Sequence, residues 1–154
     1  MSKKTVRIGN SSGFWGDEPL ALRQQLSGGP IDYVVADYLA EVSMSILAKQ
    51  QLKNKDLGYI ADFLDHLTLA KDFLHLPVKI VTNAGGNNPV SLAKIIALKL
   101  KEWGIDKKVF AVTGDNLFPQ LQDLKARGNE FKNLETGKDF SSVENNVVAA
   151  NAYT

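Results

Sequence analysis

Apolar runs rich in β-branched residues alternate along this chain with stretches whose apolar positions recur every three or four residues, a pattern that predicts strands and helices in turn. Residues 5–8 read as a first strand, followed by a Gly-rich loop and a short helix opening near Asp17-Glu18-Pro19, where acidic residues and an early proline suit a helix amino end. Gly28-Gly29-Pro30 stops that helix. A second strand covers 31–36. Asp37 then stands where a cap belongs, ahead of a helix over 38–52 with apolar Leu39, Val42, Ile46 and Leu47. Another helix covers 60–76, with Phe63, Leu64, Leu67, Phe73 and Leu74, and a third strand covers 78–82. Pro89 opens a helix that runs to about Trp103, where Gly104 caps it. A fourth strand over 108–113, a helix over 116–126, a polar loop over 128–144 and a fifth strand over 147–152 complete the reading.

Alternation of this kind implies an α/β fold: a parallel sheet of about five strands covered by helices, Rossmann-like or doubly wound, with right-handed crossovers. The whole chain, 1–154, reads as a single α/β domain. Its last strand is a small apolar run of the kind buried on both faces, yet no helix follows it. The expectation is an amino-terminal portion of a longer protein, lacking a carboxyl-terminal region or partner subunit. The alternative is an edge strand at a genuine terminus, and an uncovered edge would favour a homo-oligomer.

The strands all end in small polar clusters: Asn10-Ser11-Ser12-Gly13, Asp37, Asn83-Ala84-Gly85-Gly86-Asn87-Asn88, Gly114-Asp115-Asn116 and Asn151. In a parallel sheet these lie together at the carboxyl edge, where open α/β folds bind ligands. The loop Gly9-Asn10-Ser11-Ser12-Gly13-Phe14-Trp15-Gly16 lacks both the G-x-G-x-x-G spacing and a Gly-Lys-Ser/Thr, so neither nucleotide fingerprint is present. Its glycines still allow close backbone approach to a ligand, although a tight turn with Phe14 and Trp15 packed inward reads equally well. Gly85 and Gly86, just before a helix, are candidates to donate N–H groups to a phosphate or carboxylate; ordinary turn chemistry is the competing reading.

Asp37 and Glu41, four apart at a helix start, could face one side and act as acid and base or hold a divalent cation, with Asp115 adding a third oxygen. Both aspartates read equally well as helix caps. The two histidines, His66 and His75, fall on the helix between the second and third strands and are expected in surface or partly packed roles away from the sheet's mouth.

Composition narrows the partners. Eighteen basic against seventeen acidic side chains give a formal charge of +1, without the cationic excess of a nucleic-acid groove. The 44% hydrophobic content contains no run of roughly 18 apolar residues, so no membrane partner is expected. Zero cysteines excludes disulfides and thiolate chemistry, and Met1-Ser2-Lys3-Lys4 runs into the first strand without a signal-peptide core, which points to the cytoplasm.

The segments Ile8-Gly9-Asn10-Ser11-Ser12-Gly13-Phe14-Trp15-Gly16-Asp17, Asp37-Tyr38-Leu39-Ala40-Glu41, Thr82-Asn83-Ala84-Gly85-Gly86-Asn87-Asn88-Pro89, Gly114-Asp115 and Ala150-Asn151-Ala152-Tyr153 resemble, in order and spacing, the acyclic terpene utilisation protein family. The resemblance implies a cytoplasmic role in breakdown of acyclic terpenoids such as citronellol and geraniol, through branched acyl-CoA thioesters, and members longer than this chain. It carries no established catalytic residue.

The reading is therefore an enzyme, or part of one, acting on a small carboxylate or acyl-CoA intermediate. Asp37, Glu41 and Asp115 would supply acid–base or metal-binding oxygens, and Gly85 and Gly86 would bind an anion. Asn10, Asn83 and Asn151, with Ser11, Ser12, Gly13 and Asn87, would orient the ligand, and Trp15 would shield one wall. A lyase or hydrolase-like step fits better than hydride transfer, since the dinucleotide fingerprint is missing. The alternative is a non-catalytic α/β module that binds a metabolite or subunit.

Overall fold

The structure, a computed structural model, describes residues 5–152. Met1-Ser2-Lys3-Lys4 and Tyr153, which entered the sequence reading, lie outside the described residues. The chain divides into two compact units, Met1–Val112 and Thr113–Thr154.

In the first unit three strands, β1 (Ile8–Asn10), β2 (Tyr33–Ala36) and β3 (Lys79–Thr82), form a parallel sheet in the order β1-β2-β3. Ile8 pairs with Tyr33 and Asn10 with Val35, while Tyr33 pairs with Lys79 and Ala36 with Thr82. Helix α1 (Ala21–Ser27) connects β1 to β2. Helices α2 (Glu41–Lys53) and α3 (Asp62–Leu69), with a 3₁₀ turn at Lys71–Phe73, connect β2 to β3, and α4 (Pro89–Glu102) follows β3.

Side chains alternate along a strand, so Val34 and Ala36 point into the core while Lys79 and Val81 are exposed. Leucines and Phe63 spaced four or eight apart, and so on one helical face, supply the helical half of that core: Leu22 and Leu26 from α1, Phe63 and Leu67 from α3, Leu92 and Leu100 from α4. On the opposite sheet face Ile8 is 63% and Val81 55% exposed.

The α/β fold with a parallel sheet holds, but among the described residues that sheet has three strands, and the expected five are not confirmed. Residues 108–113 have strand composition but no ladder partner among the described residues, and Phe110 and Val112 are exposed. β-Propensity describes a fit to a neighbouring strand, and without that neighbour it produces none. Residues 147–152 instead meet the 115–117 segment antiparallel: Asn116 and Asn151 form an isolated bridge, Leu117 N–H donates to the Ala150 carbonyl at 2.8 Å, and Ala152 N–H donates to that of Asp115 at 2.7 Å.

Helix starts shifted too. Asp17 accepts from Gly13 N–H and Glu18 N–H, each at 2.8 Å, and so braces the turn ahead of α1 rather than capping it. At α2 the amino end is closed by Ser43, whose hydroxyl accepts from Ala40 N–H at 2.6 Å. The expected helix over 60–76 breaks at buried Ala70 into α3 and the 3₁₀ turn.

The second unit contains a 3₁₀ turn (Phe118–Gln120) running into α5 (Leu121–Ala126), then two more 3₁₀ turns, Phe140–Ser142 and Glu144–Asn146. Lys125 and Glu144 form an ion pair at 2.6 Å, and the Phe131 and Phe140 rings meet edge to face with centroids 5.8 Å apart. Among the described residues no helix is long and apolar enough to cross a membrane.

Candidate functional site

The ladder between strands continues past their regular ends into the polar clusters. Ser11 N–H donates to the Val35 carbonyl at 2.9 Å, Asp37 N–H to the Ser12 carbonyl at 3.0 Å, and Tyr38 N–H to Asn83 Oδ1 at 2.9 Å. Because the strands are parallel, Asn10, Asp37 and Asn83 come together at one carboxyl edge. Asn83 uses both ends of its carboxamide there: Oδ1 holds the Tyr38 backbone, and Nδ2 donates to Asp37 Oδ1 at 2.6 Å. Leu39 N–H donates to that same carboxylate oxygen at 3.1 Å. Among the described residues Oδ2 accepts no hydrogen bond, and Asp37 is solvent-exposed.

Asp37 is thus neither the cap of α2 nor an i, i+4 partner of Glu41. It precedes the helix, whose first residue is the exposed Glu41, and a residue from the neighbouring strand end holds it instead. Asp115 belongs to the second unit, where Asn151 Nδ2 donates to its Oδ2 at 2.7 Å. Each unit therefore holds one aspartate bonded by one asparagine carboxamide. Within neither unit do three His, Asp or Glu side chains among the described residues gather as a metal site.

Several expected ligand groups turn inward. Ser11 and Ser12 are buried, and their hydroxyls reach backbone carbonyls: Ser11 that of Val35 at 3.3 Å, Ser12 those of Phe14 at 3.0 Å and Asp37 at 3.1 Å. Gly13 N–H is bonded to Asp17, whose carboxyl is held below its ordinary value by the N–H groups of Gly13 and Glu18. The Trp15 indole N–H donates to Asp62 at 3.1 Å.

The turn before α4 is bonded within the chain at most of its groups, while Asn87 Oδ1 is buried without a partner among the described residues. Gly86 N–H donates to the Asn83 carbonyl at 3.0 Å, and Asn88 Oδ1 caps α4 by accepting from Ser91 N–H. Asn87 ties the turn to α2 through the Met44 carbonyl at 3.2 Å. The glycines are required by close approach: a Cβ on Gly85 would lie 2.6 Å from that of Pro89. The anion-binding expectation thus loses the Gly86 donor but keeps Gly85 N–H, which donates no hydrogen bond among the described residues, and the side-chain chemistry at the rim is that of Asp37, Asn83 and Asn10.

The profile of the Acyclic terpene utilisation family protein AtuA matches residues 6–154. The chain belongs to this family. Neither a curated protein nor a solved structure matches it.

Two residues of this AtuA-family chain that sequence reasoning passed over lie against the rim. Tyr38, next to Asp37, is 1% exposed, and its hydroxyl lies 2.8 Å from Nδ1 of His66 on α3. His66 is itself buried, correcting its expected surface or partly packed role. The signal was available in its spacing, since His66 falls on the same helical face as Phe63, Leu67 and Ala70.

Burial pushes the Tyr38 phenol from 10.0 up to about 12; the Ser12 hydroxyl opposes the rise, and Asp17 and Asp62 add to it. A raised folded-state value means the native state keeps its proton longer than the unfolded chain. The resulting stability is complete below pH 10 and lost as pH climbs toward 12, at about 1.4 kcal/mol per pH unit. Urea unfolding of the native chain and Tyr38→Phe on either side of pH 10 should show an alkaline fall of roughly 2–3 kcal/mol that the variant lacks.

Proposed function

We propose that this AtuA-family chain is a catabolic enzyme, or part of one, acting on a small carboxylate or branched acyl-CoA intermediate of acyclic terpenoid breakdown, with the Asp37–Asn83 pair as its chemical centre. The observation that carries the reading is the exposed carboxylate fixed at the carboxyl edge of a parallel sheet. Two donors hold Oδ1, so Oδ2 is the oxygen available to take or return a proton. Asn10, exposed at the end of the adjacent strand, is placed to bond a polar ligand atom. Proton transfer of this sort suits a lyase or hydrolase-like step. This reading assigns the protein to the cytoplasm.

A second reading, a non-catalytic metabolite-binding module, is favoured by the structural use of the Asp37 carboxylate, whose Oδ1 already accepts from Leu39 N–H and Asn83 Nδ2 as a turn acceptor would. A thermal-shift series with branched acyl-CoA thioesters, their free acids and straight-chain acyl-CoA controls tests both. Ligand at a hundredfold its dissociation constant should add about 2.7 kcal/mol and raise the melting temperature by several degrees for branched compounds. Absence of any shift defeats both readings; a shift without turnover selects the binding module.

A further inference from the structure

Asp62 and His66 are four residues apart on α3 and so lie on one helical face. Asp62 accepts the Trp15 indole N–H at 3.1 Å, holding the loop after β1, and His66 Nδ1 lies 2.8 Å from the Tyr38 hydroxyl in the segment after β2. Tyr38 in turn donates its backbone N–H to Asn83 Oδ1 at 2.9 Å, and Asn83 Nδ2 donates to Asp37 Oδ1 at 2.6 Å. A continuous path of short bonds and one covalent neighbour therefore joins the buried imidazole to the exposed carboxylate.

We infer that His66 is a positioning residue of the candidate site: by fixing the Tyr38 phenol it fixes the backbone of residues 37–38, and with it the aim of the Asp37 carboxylate on Asn83. The inference rests on the reading of Asp37 and Asn83 as the site. A position that merely filled the core between Phe63, Leu67 and Ala70 would be served by leucine, whereas a buried imidazole needs a partner to offset its lost hydration. The partner it takes belongs to the residue beside Asp37. The phenol stays protonated across the ordinary pH range and donates to Nδ1 in the tautomer that leaves this nitrogen unprotonated. The Tyr38 ring also packs against Phe63, edge to face with centroids 5.9 Å apart, so rotation of the phenol away from His66 is opposed by packing.

The test needs no ligand. Side-chain amide proton resonances of Asn83, read by NMR in the full chain, report the bond to Asp37 directly. In His66→Leu and in Tyr38→Phe these resonances should lose their hydrogen-bonded shift and move toward those of a free carboxamide. His66→Asn, whose carboxamide oxygen can stand near the former Nδ1 and accept from Tyr38, should restore them. If His66→Leu does not fold, Tyr38→Phe, which removes one oxygen from an otherwise unchanged ring, carries the test. Unchanged Asn83 resonances in either folded variant, or a loss that His66→Asn fails to repair, overturns the assignment. Because the readout is ligand-free, its failure is separate from a failure of acyl-CoA or carboxylate binding.

Discussion

Gly86→Ala is expected to lower the melting temperature by about 10 °C, a loss of roughly 3 kcal/mol. Two costs combine at this position. Gly86 has φ +50°, a left-handed conformation that costs an L-residue about 1–2 kcal/mol. A Cβ there would also lie 2.5 Å from Leu47 Cδ1 and 2.7 Å from the Gly58 carbonyl oxygen. Leu47 is completely buried, and the Gly58 carbonyl already accepts from Asn87 N–H, so neither neighbour can yield without disturbing the core or the turn. Overpacking of that kind adds about 1–3 kcal/mol. Gly104→Ala separates the two costs: its φ is +69°, but a Cβ there meets nothing within 4 Å, so only the conformational part, about 1 kcal/mol, should appear. Equal melting temperatures for the two variants would show that the contact with α2 contributes nothing.

The sequence was most legible where local and global requirements agree. Three β-branched runs end in Asn10, Asp37 and Asn83, and these became neighbouring parallel strands with the polar residues at one edge. The helix opened by Pro89 begins there, capped by Asn88. The misreadings share a physical cause, a partner distant in sequence. Asp37 looks like a cap because aspartate before a helical run usually is one, but beside Leu39 N–H the donor it takes is Asn83, 46 residues away. Residues 108–113 look like a strand from composition alone, and a strand exists only when another lies beside it. Ser11 and Ser12 look like ligand hydroxyls because they follow a strand, whereas strand register turns them onto the carbonyls of Val35 and Asp37. The burial of His66 is readable from helical spacing alone, whereas its contact with Tyr38, 28 residues earlier, is visible only in the fold.

Asp37→Asn is expected to reduce turnover of the branched acyl-CoA or carboxylate substrate by roughly 10²–10⁴-fold, the usual contribution of a positioned acid–base group. The substitution is chosen because it leaves the geometry in place. An asparagine carboxamide oxygen can accept at the Oδ1 position, so the bonds from Asn83 Nδ2 and Leu39 N–H persist while the charge and the ability to exchange a proton are lost. An exposed side chain with those bonds retained should change stability by about 1 kcal/mol or less. Asn83→Ala makes the complementary change: it keeps the carboxylate but removes both the Nδ2 donor and the oxygen that holds Tyr38 N–H, so activity and stability should fall together. A catalytic Asp37 therefore predicts two different patterns at two bonded residues, activity alone at one and both quantities at the other. Turnover and melting temperature measured on both variants decide the matter. Near-native turnover by Asp37→Asn would falsify the acid–base role and leave the carboxylate as an ordinary turn acceptor.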